Sequence, residues 1–170
     1  MDQAKRNRTL TIVLFIIYLL LLTWIVLFKL HVSFADMEIA RNINLVPFLG
    51  SDGIDANIIY NIVFFIPFGV YLCMLKREWN FIKKLLPVLC ASLAFEILQY
   101  ALAIGRTDVT DLICNVLGGI AGIGIYALLF KMLKNKTNKV INIAALALTI
   151  CAIVFFALLV TDSLPLMIRL

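Results

Sequence analysis

Glu96 and Gln99 stand three residues apart inside an apolar run, and Arg106, Asp108, Asp111 and Asn115 follow within EILQYALAIGRTDVTDLICN, residues 96–115. Three kinds of chemistry are open to such a set. Carboxylates whose neighbours push their proton affinities apart can serve as acid and base. Carboxylate and amide oxygens can hold a divalent cation. Arginine beside amides can grip a phosphate or carboxylate head group through paired, charge-assisted hydrogen bonds. The spacing favours one meeting place. Residues three apart share a helix face, which pairs Glu96 with Gln99, and steps of three and four put Asp108, Asp111 and Asn115 on one stripe.

The elements that must position these side chains are membrane spans. A mean hydropathy of +1.05, with 64% hydrophobic and 15% charged residues, lies outside soluble domains, where about 25% charged is usual. Water cannot be kept from that much apolar surface in a soluble fold of this length. A span needs about 20 apolar residues to cross roughly 30 Å of hydrocarbon. Five segments qualify, at about 9–28, 57–75, 85–104, 112–130 and 140–160. The expected fold is all-α, an integral membrane bundle of five transmembrane helices in a single membrane domain over 1–170. The first run is about twice a signal peptide's apolar core, so an uncleaved anchor is expected.

The basic residues orient the chain. Lys5, Arg6 and Arg8 precede the first span, Lys76, Arg77, Lys83 and Lys84 follow the second, and Lys131, Lys134, Lys136 and Lys139 follow the fourth; Lys29, Arg41, Arg106 and Arg169 remain for the other side. By the positive-inside rule the N-terminus is cytoplasmic and the C-terminus outside. The net charge of +5 is thereby a topology signal rather than a phosphate-binding face, and no nucleic-acid partner is expected. The cysteines, Cys73, Cys90, Cys114 and Cys151, fall in separate runs without a CxxC pair and read as small buried hydrophobes. His31 is the single histidine, so neither a multi-histidine metal site nor a cofactor is expected.

Glu96 lies about 12 Å below the outer end of the third span. An ionised carboxylate there is costly without a partner, so it should face other helices and be protonated or paired. Gly105-Arg106-Thr107 makes a tight outer turn, and the third and fourth helices are therefore antiparallel neighbours. Arg106 is the expected answer to Glu96. Asn57 and Asn61 share a face at the outer end of the second helix, while Arg41, Asn44 and Pro47 lie in the outer loop, 29–56, whose start reads as a segment along the membrane surface. Pro67 in IPFG (residues 66–69, ending at Gly69) reads as a kink. Gly118 and Gly122 form a GxxxG pair that admits a second helix. Taken singly, these residues have structural readings: glycines pack, Asp108 caps a helix, and asparagines bridge helices. The acids beside an arginine in the membrane do not reduce to packing.

This order of residues resembles the VanZ-like family over about 40–125. The resemblance rests on RNINLVPF (Arg41, Asn44 and Pro47), Asn61 with the following IPFG, Glu96 with Gln99, and then Arg106, Asp108, Asp111, Asn115 and Gly118. It implies a small multi-pass membrane protein of the cell envelope, in a family whose namesake is linked to reduced teicoplanin sensitivity.

The favoured reading is an outer-leaflet pocket that binds an amphiphile's head group. Expected partners are a membrane lipid, a lipid-linked cell-wall intermediate, or the glycopeptide antibiotic. Arg41 and Arg106 would hold the anionic part, with Asn44, Asn61, Gln99 and Asn115 as neutral groups. An intramembrane carboxylate-dependent enzyme acting on a lipid-linked phosphate is the alternative, but no GxSxG and no histidine in the cluster support nucleophilic hydrolysis. A proton-coupled transporter or flippase is a further alternative; no clear inverted repeat is visible, and a homo-oligomer would have to complete its pathway.

Overall fold

The computed structural model describes residues 3–28, 42–44, 46–47, 56–103 and 106–167. Helix α1 covers Gln3–Phe28, α2 Ala56–Leu75, α3 Phe81–Leu102, α4 Val109–Leu133 and α5 Thr137–Met167, with a 3-10 turn at Lys134–Lys136. Two short extended segments, β1 (Asn42–Asn44) and β2 (Arg106–Asp108), pair in parallel, with Asn42 opposite Arg106 and Asn44 opposite Asp108. Among the described residues the secondary structure is thus helical apart from this one pairing. The start of the outer loop, assigned to the membrane surface, and Gly105 in the outer turn lie outside the described residues.

Among the described residues, four stretches are long and apolar enough to cross a membrane: Lys5–Leu27, Ala56–Leu75, Phe81–Leu102 and the 47-residue Val109–Phe155, which runs through α4 and the turn into α5. Their outward faces are apolar rather than charged. Leu20 is 67% exposed, Ile97 66% and Leu148 71%, an arrangement that suits a hydrocarbon solvent and not water.

The helix ends have identifiable causes. Asn80 caps α3 by accepting the N–H of Lys83 at 2.9 Å. That helix stops where Ala103 turns left-handed at φ 54° and its N–H closes on the carbonyls of Gln99 and Tyr100, the usual way a helix end satisfies its last acceptors. Asp108 caps α4 by accepting the N–H of Thr110 at 2.9 Å. The far end of α4 breaks at Lys134, where φ is 50°, and the Thr137 hydroxyl donates to the Lys134 carbonyl at 2.7 Å. Pro67 sits within α2, which continues through it to Leu75.

The chain divides into two compact units, Met1–Met37 with Asn138–Leu170, and Glu38–Thr137. In the first, α1 and α5 meet through a neutral polar node. Asn142 Nδ2 donates to Thr11 Oγ1 at 3.0 Å and to the Asn7 carbonyl at 3.2 Å, and the Thr11 hydroxyl lies 3.1 Å from Asn142 Oδ1. In the second unit, α2 and α4 run parallel, backbone against backbone. A side chain at Gly118 would overlap the Ile62 carbonyl, and one at Gly122 the Ile66 carbonyl. Both contacts advance by four in the same direction. Gly69 faces Gly119 from the α2 side, and Val88 of α3 fills the space over Gly119. Phe65 is fully buried at this seam and meets Phe95 of α3 edge-on, ring centres 6.2 Å apart. The cysteine expectation needs correction: Cys73 and Cys114 are buried, but Cys90 and Cys151 are exposed. They fall on outward helix faces, where a small thiol serves as well as any apolar group.

At the opposite end from β1 and β2, the α2–α3 turn is tied to the end of α4. The Arg77 guanidinium stacks 3.8 Å over the Phe130 ring, a cation–π contact. Lys84 Nζ donates to the Arg77 carbonyl at 3.2 Å.

Candidate functional site

Because α2 and α4 are parallel and α3 runs antiparallel beside their seam, the N-termini of α2 and α4 and the C-terminus of α3 share one end of the second unit. The polar residues collect there. Asp108 is the hub. Its side chain accepts the Asn44 amide at 2.9 Å as well as the Thr110 N–H, and its own N–H donates to Glu96 Oε2 at 3.1 Å. The parallel pairing of β1 with β2 sets this up, since it puts Asn44 directly opposite Asp108. Asn44 Oδ1 in turn accepts the N–H of Val46 at 3.2 Å, an Asx turn that fixes the amide's direction.

One turn further along α4, Asp111 Oδ1 accepts the Asn61 amide of α2 at 2.5 Å. A second turn brings Asn115, whose Nδ2 donates to Ser92 Oγ of α3 at 2.9 Å. Burial deepens along this line. Asp108 and Asp111 are half-buried, Glu96 is 7% exposed, and Gln99, Asn115 and Ser92 are essentially closed off. Asn115 Oδ1 is buried with no hydrogen-bond partner.

The carboxylates thus accept from amides and backbone N–H groups, and Asp108 and Asp111 also sit at the positive N-terminal end of the α4 dipole. Of the candidate residues, Asn44, Asn61, Glu96, Asp108, Asp111 and Asn115 join this line, with buried Gln99 one turn outward from Glu96 on α3. Gly69, Gly118 and Gly122 lie in the α2–α4 seam, Pro67 is half-buried in α2, and Pro47 is exposed. Arg41 lies outside the described residues, as does the Arg106 side chain, whose backbone opens β2. The expected answer of Arg106 to Glu96 therefore falls outside them too; Glu96 accepts from the Asp108 N–H among its contacts. Ser92 was missed in the sequence, although it stands four before Glu96 on the same face.

A helical chain with membrane-length apolar stretches and a buried carboxylate–amide cluster at one end of its bundle is a membrane protein. The family model described as VanZ/LLP1 matches residues 15–131, and the chain belongs to that family. It is similar to Protein VanZ of Enterococcus faecium, 39% identical over 142 residues that cover 82% of this chain and 88% of the relative. No solved structure matches it.

Proposed function

We propose that this is a multi-pass protein of the cell membrane whose Asp108-centred cluster binds the polar head of an amphiphile at the extracytoplasmic face. The resulting role is in teicoplanin-type resistance or in handling of envelope lipids. Five spans fit the chain: the stretch Val109–Phe155 is 47 residues long, about 70 Å as a helix and twice the hydrocarbon thickness. It also breaks at Lys134, among lysines. With the basic turns cytoplasmic, the N-terminus is cytoplasmic, the C-terminus is outside, and the cluster lies in the outer leaflet.

One observation carries the binding reading. Three acids and three amides are drawn from β1, α2, α3 and α4 to one buried end of an apolar bundle. Interhelical glue needs no charge, and ionisable groups in a membrane mark ligand or ion pathways. In sequence, Arg41 adjoins Asn42, the residue whose backbone pairs with that of Arg106, and these two arginines are the groups assigned to grip a phosphate or carboxylate. A cell-wall lipid intermediate, a phospholipid and a glycopeptide antibiotic all carry such a group.

The test is direct. Glu96→Ala and Arg106→Ala should each weaken binding of the amphiphile to purified protein at least about tenfold, the scale of one charge-assisted hydrogen bond. They should also restore teicoplanin sensitivity in cells made resistant by the wild type. Unchanged binding and unchanged sensitivity at normal protein levels would refute the reading.

A further inference from the structure

At the end of the second unit opposite β1 and β2, residues 76–84 and 131–137 carry seven basic residues and one acid, Glu78. The positive-inside rule accounts for the side on which these bases lie. It does not account for their being held. Arg77, in the α2–α3 turn, lies 3.8 Å over the Phe130 ring of α4, and Lys84 of α3 donates from Nζ to the Arg77 carbonyl at 3.2 Å. Lys76 sits 5.3 Å over the Trp79 ring. Like charges repel at close range and would spread apart if free to do so. Here Arg77 is both a held cation and the anchor for a second one.

The manner of holding leaves the charge available. A ring face attracts a cation without neutralising it. Stacking occupies the flat face of a guanidinium and leaves its N–H edge, the fork that matches phosphate oxygens. Lys84, half-buried, spends one of three ammonium donors on the carbonyl and keeps two. Lys131 follows Phe130 in the chain and is exposed, which adds a third base from a third element.

The surroundings choose among anions. Trp79 is half-buried beside a span end, the level at which tryptophan marks the edge of a bilayer. Beside the bases in the chain stand outward-facing apolar residues: Ile82 is 74% exposed, Leu86 59% and Met132 71%. A nucleic acid or a free phosphate has nothing to lay on such side chains. A phospholipid does, and basic pockets at the ends of membrane helices are suited to its head.

We propose that Arg77, Lys84 and Lys131 form a phosphate site for an anionic phospholipid, in the leaflet opposite the Asp108-centred cluster. The head group is a phosphodiester without a cation of its own, because the site already carries positive charge in excess. This assignment stands independently of the head-group reading above.

The full-length protein in detergent, titrated with phosphatidylglycerol and with phosphatidylcholine and read by native mass spectrometry, tests it. Both lipids bring a phosphodiester and two chains, but only phosphatidylcholine brings a compensating cation. Each base near a membrane surface contributes about fivefold to the attraction of anionic lipid, so the wild type should prefer phosphatidylglycerol at least about tenfold. Lys84→Gln and Lys131→Gln should each lower that preference about fivefold. Lys131 is exposed, so its variant keeps the fold even where the loss of the Arg77 stack would not. Arg77→Lys, which keeps the charge and loses the planar fork, should lower the preference as well. Lys136→Gln removes the same charge without touching the three residues and should leave the preference almost unchanged. Equal losses in Lys136→Gln and Lys84→Gln would show a diffuse field and overturn the site, as would equal binding of the two lipids by the wild type. Soluble glycerol 3-phosphate bound as tightly as phosphatidylglycerol would make the ligand a free phosphate and overturn the lipid as its source; much weaker binding would support it.

Discussion

Two buried asparagines in this chain look alike and are treated differently. Asn142, 2% exposed, donates through its nitrogen to Thr11 and the Asn7 carbonyl and has the Thr11 hydroxyl 3.1 Å from its oxygen, in a neutral node between α1 and α5. Asn115, 1% exposed, bonds Ser92 through its nitrogen and leaves its oxygen unmet, on the same helix face as Asp111 and Asp108. A neutral node contributes on the order of 0.6 kcal/mol per interhelical bond in a membrane, whereas a charged group at the bilayer centre costs about 2.5 kcal/mol or more. The first kind needs no explanation beyond helix association. The second carries acids and an unmet acceptor that association does not require, and that separates a site from glue.

The sharpest way to break this contrast is at the seam beneath the charged cluster. Gly122→Leu would drive a side chain into the Ile66 carbonyl, where relaxation must move backbone, so a loss of about 3 kcal/mol or more is expected. Little monodisperse protein should survive size-exclusion chromatography. A well-folded variant would mean that α2 and α4 do not need their close approach to hold Asn61 against Asp111.

Asp108→Ala should cost about 2 kcal/mol, because it removes both the cap on Thr110 and the acceptor for Asn44. Thermal unfolding in detergent reads that loss, and head-group binding should fall with it. Asn142→Leu is the mildest change. Its loss should stay within about 1 kcal/mol, with head-group binding unaltered. If Asn142→Leu abolished binding as completely as Glu96→Ala, the distinction between the nodes would collapse.

Much of this was legible in one dimension. Glu96 and Gln99 share a buried face while Ile97, Leu98 and Tyr100 point outward, as a spacing of three requires. Asp111 and Asn115 run down α4 for the same reason. Gly118 and Gly122 announced a close helix approach but did not name α2 as the partner. The division of Val109–Phe155 was read from hydropathy and lysines, and the backbone leaves helical geometry within that basic stretch, at Lys134, where φ is 50°. Ser92 went unread because a serine in an apolar run is as often solvated by its own helix as by a neighbour.

Sequence alone determined the solvent, the helical class, and which polar residues stand on which helix face, because these follow from hydropathy and from a period of 3.6 residues. Only the tertiary structure decided that α2 and α4 lie against each other, that Asn44 pairs with Asp108 across 64 residues, that the Asp108 N–H reaches Glu96, and that Asn115 keeps an unmet oxygen. Those facts depend on contacts between segments remote in the chain. Their energies arise from close approach and shared hydrogen bonds, which no local pattern encodes.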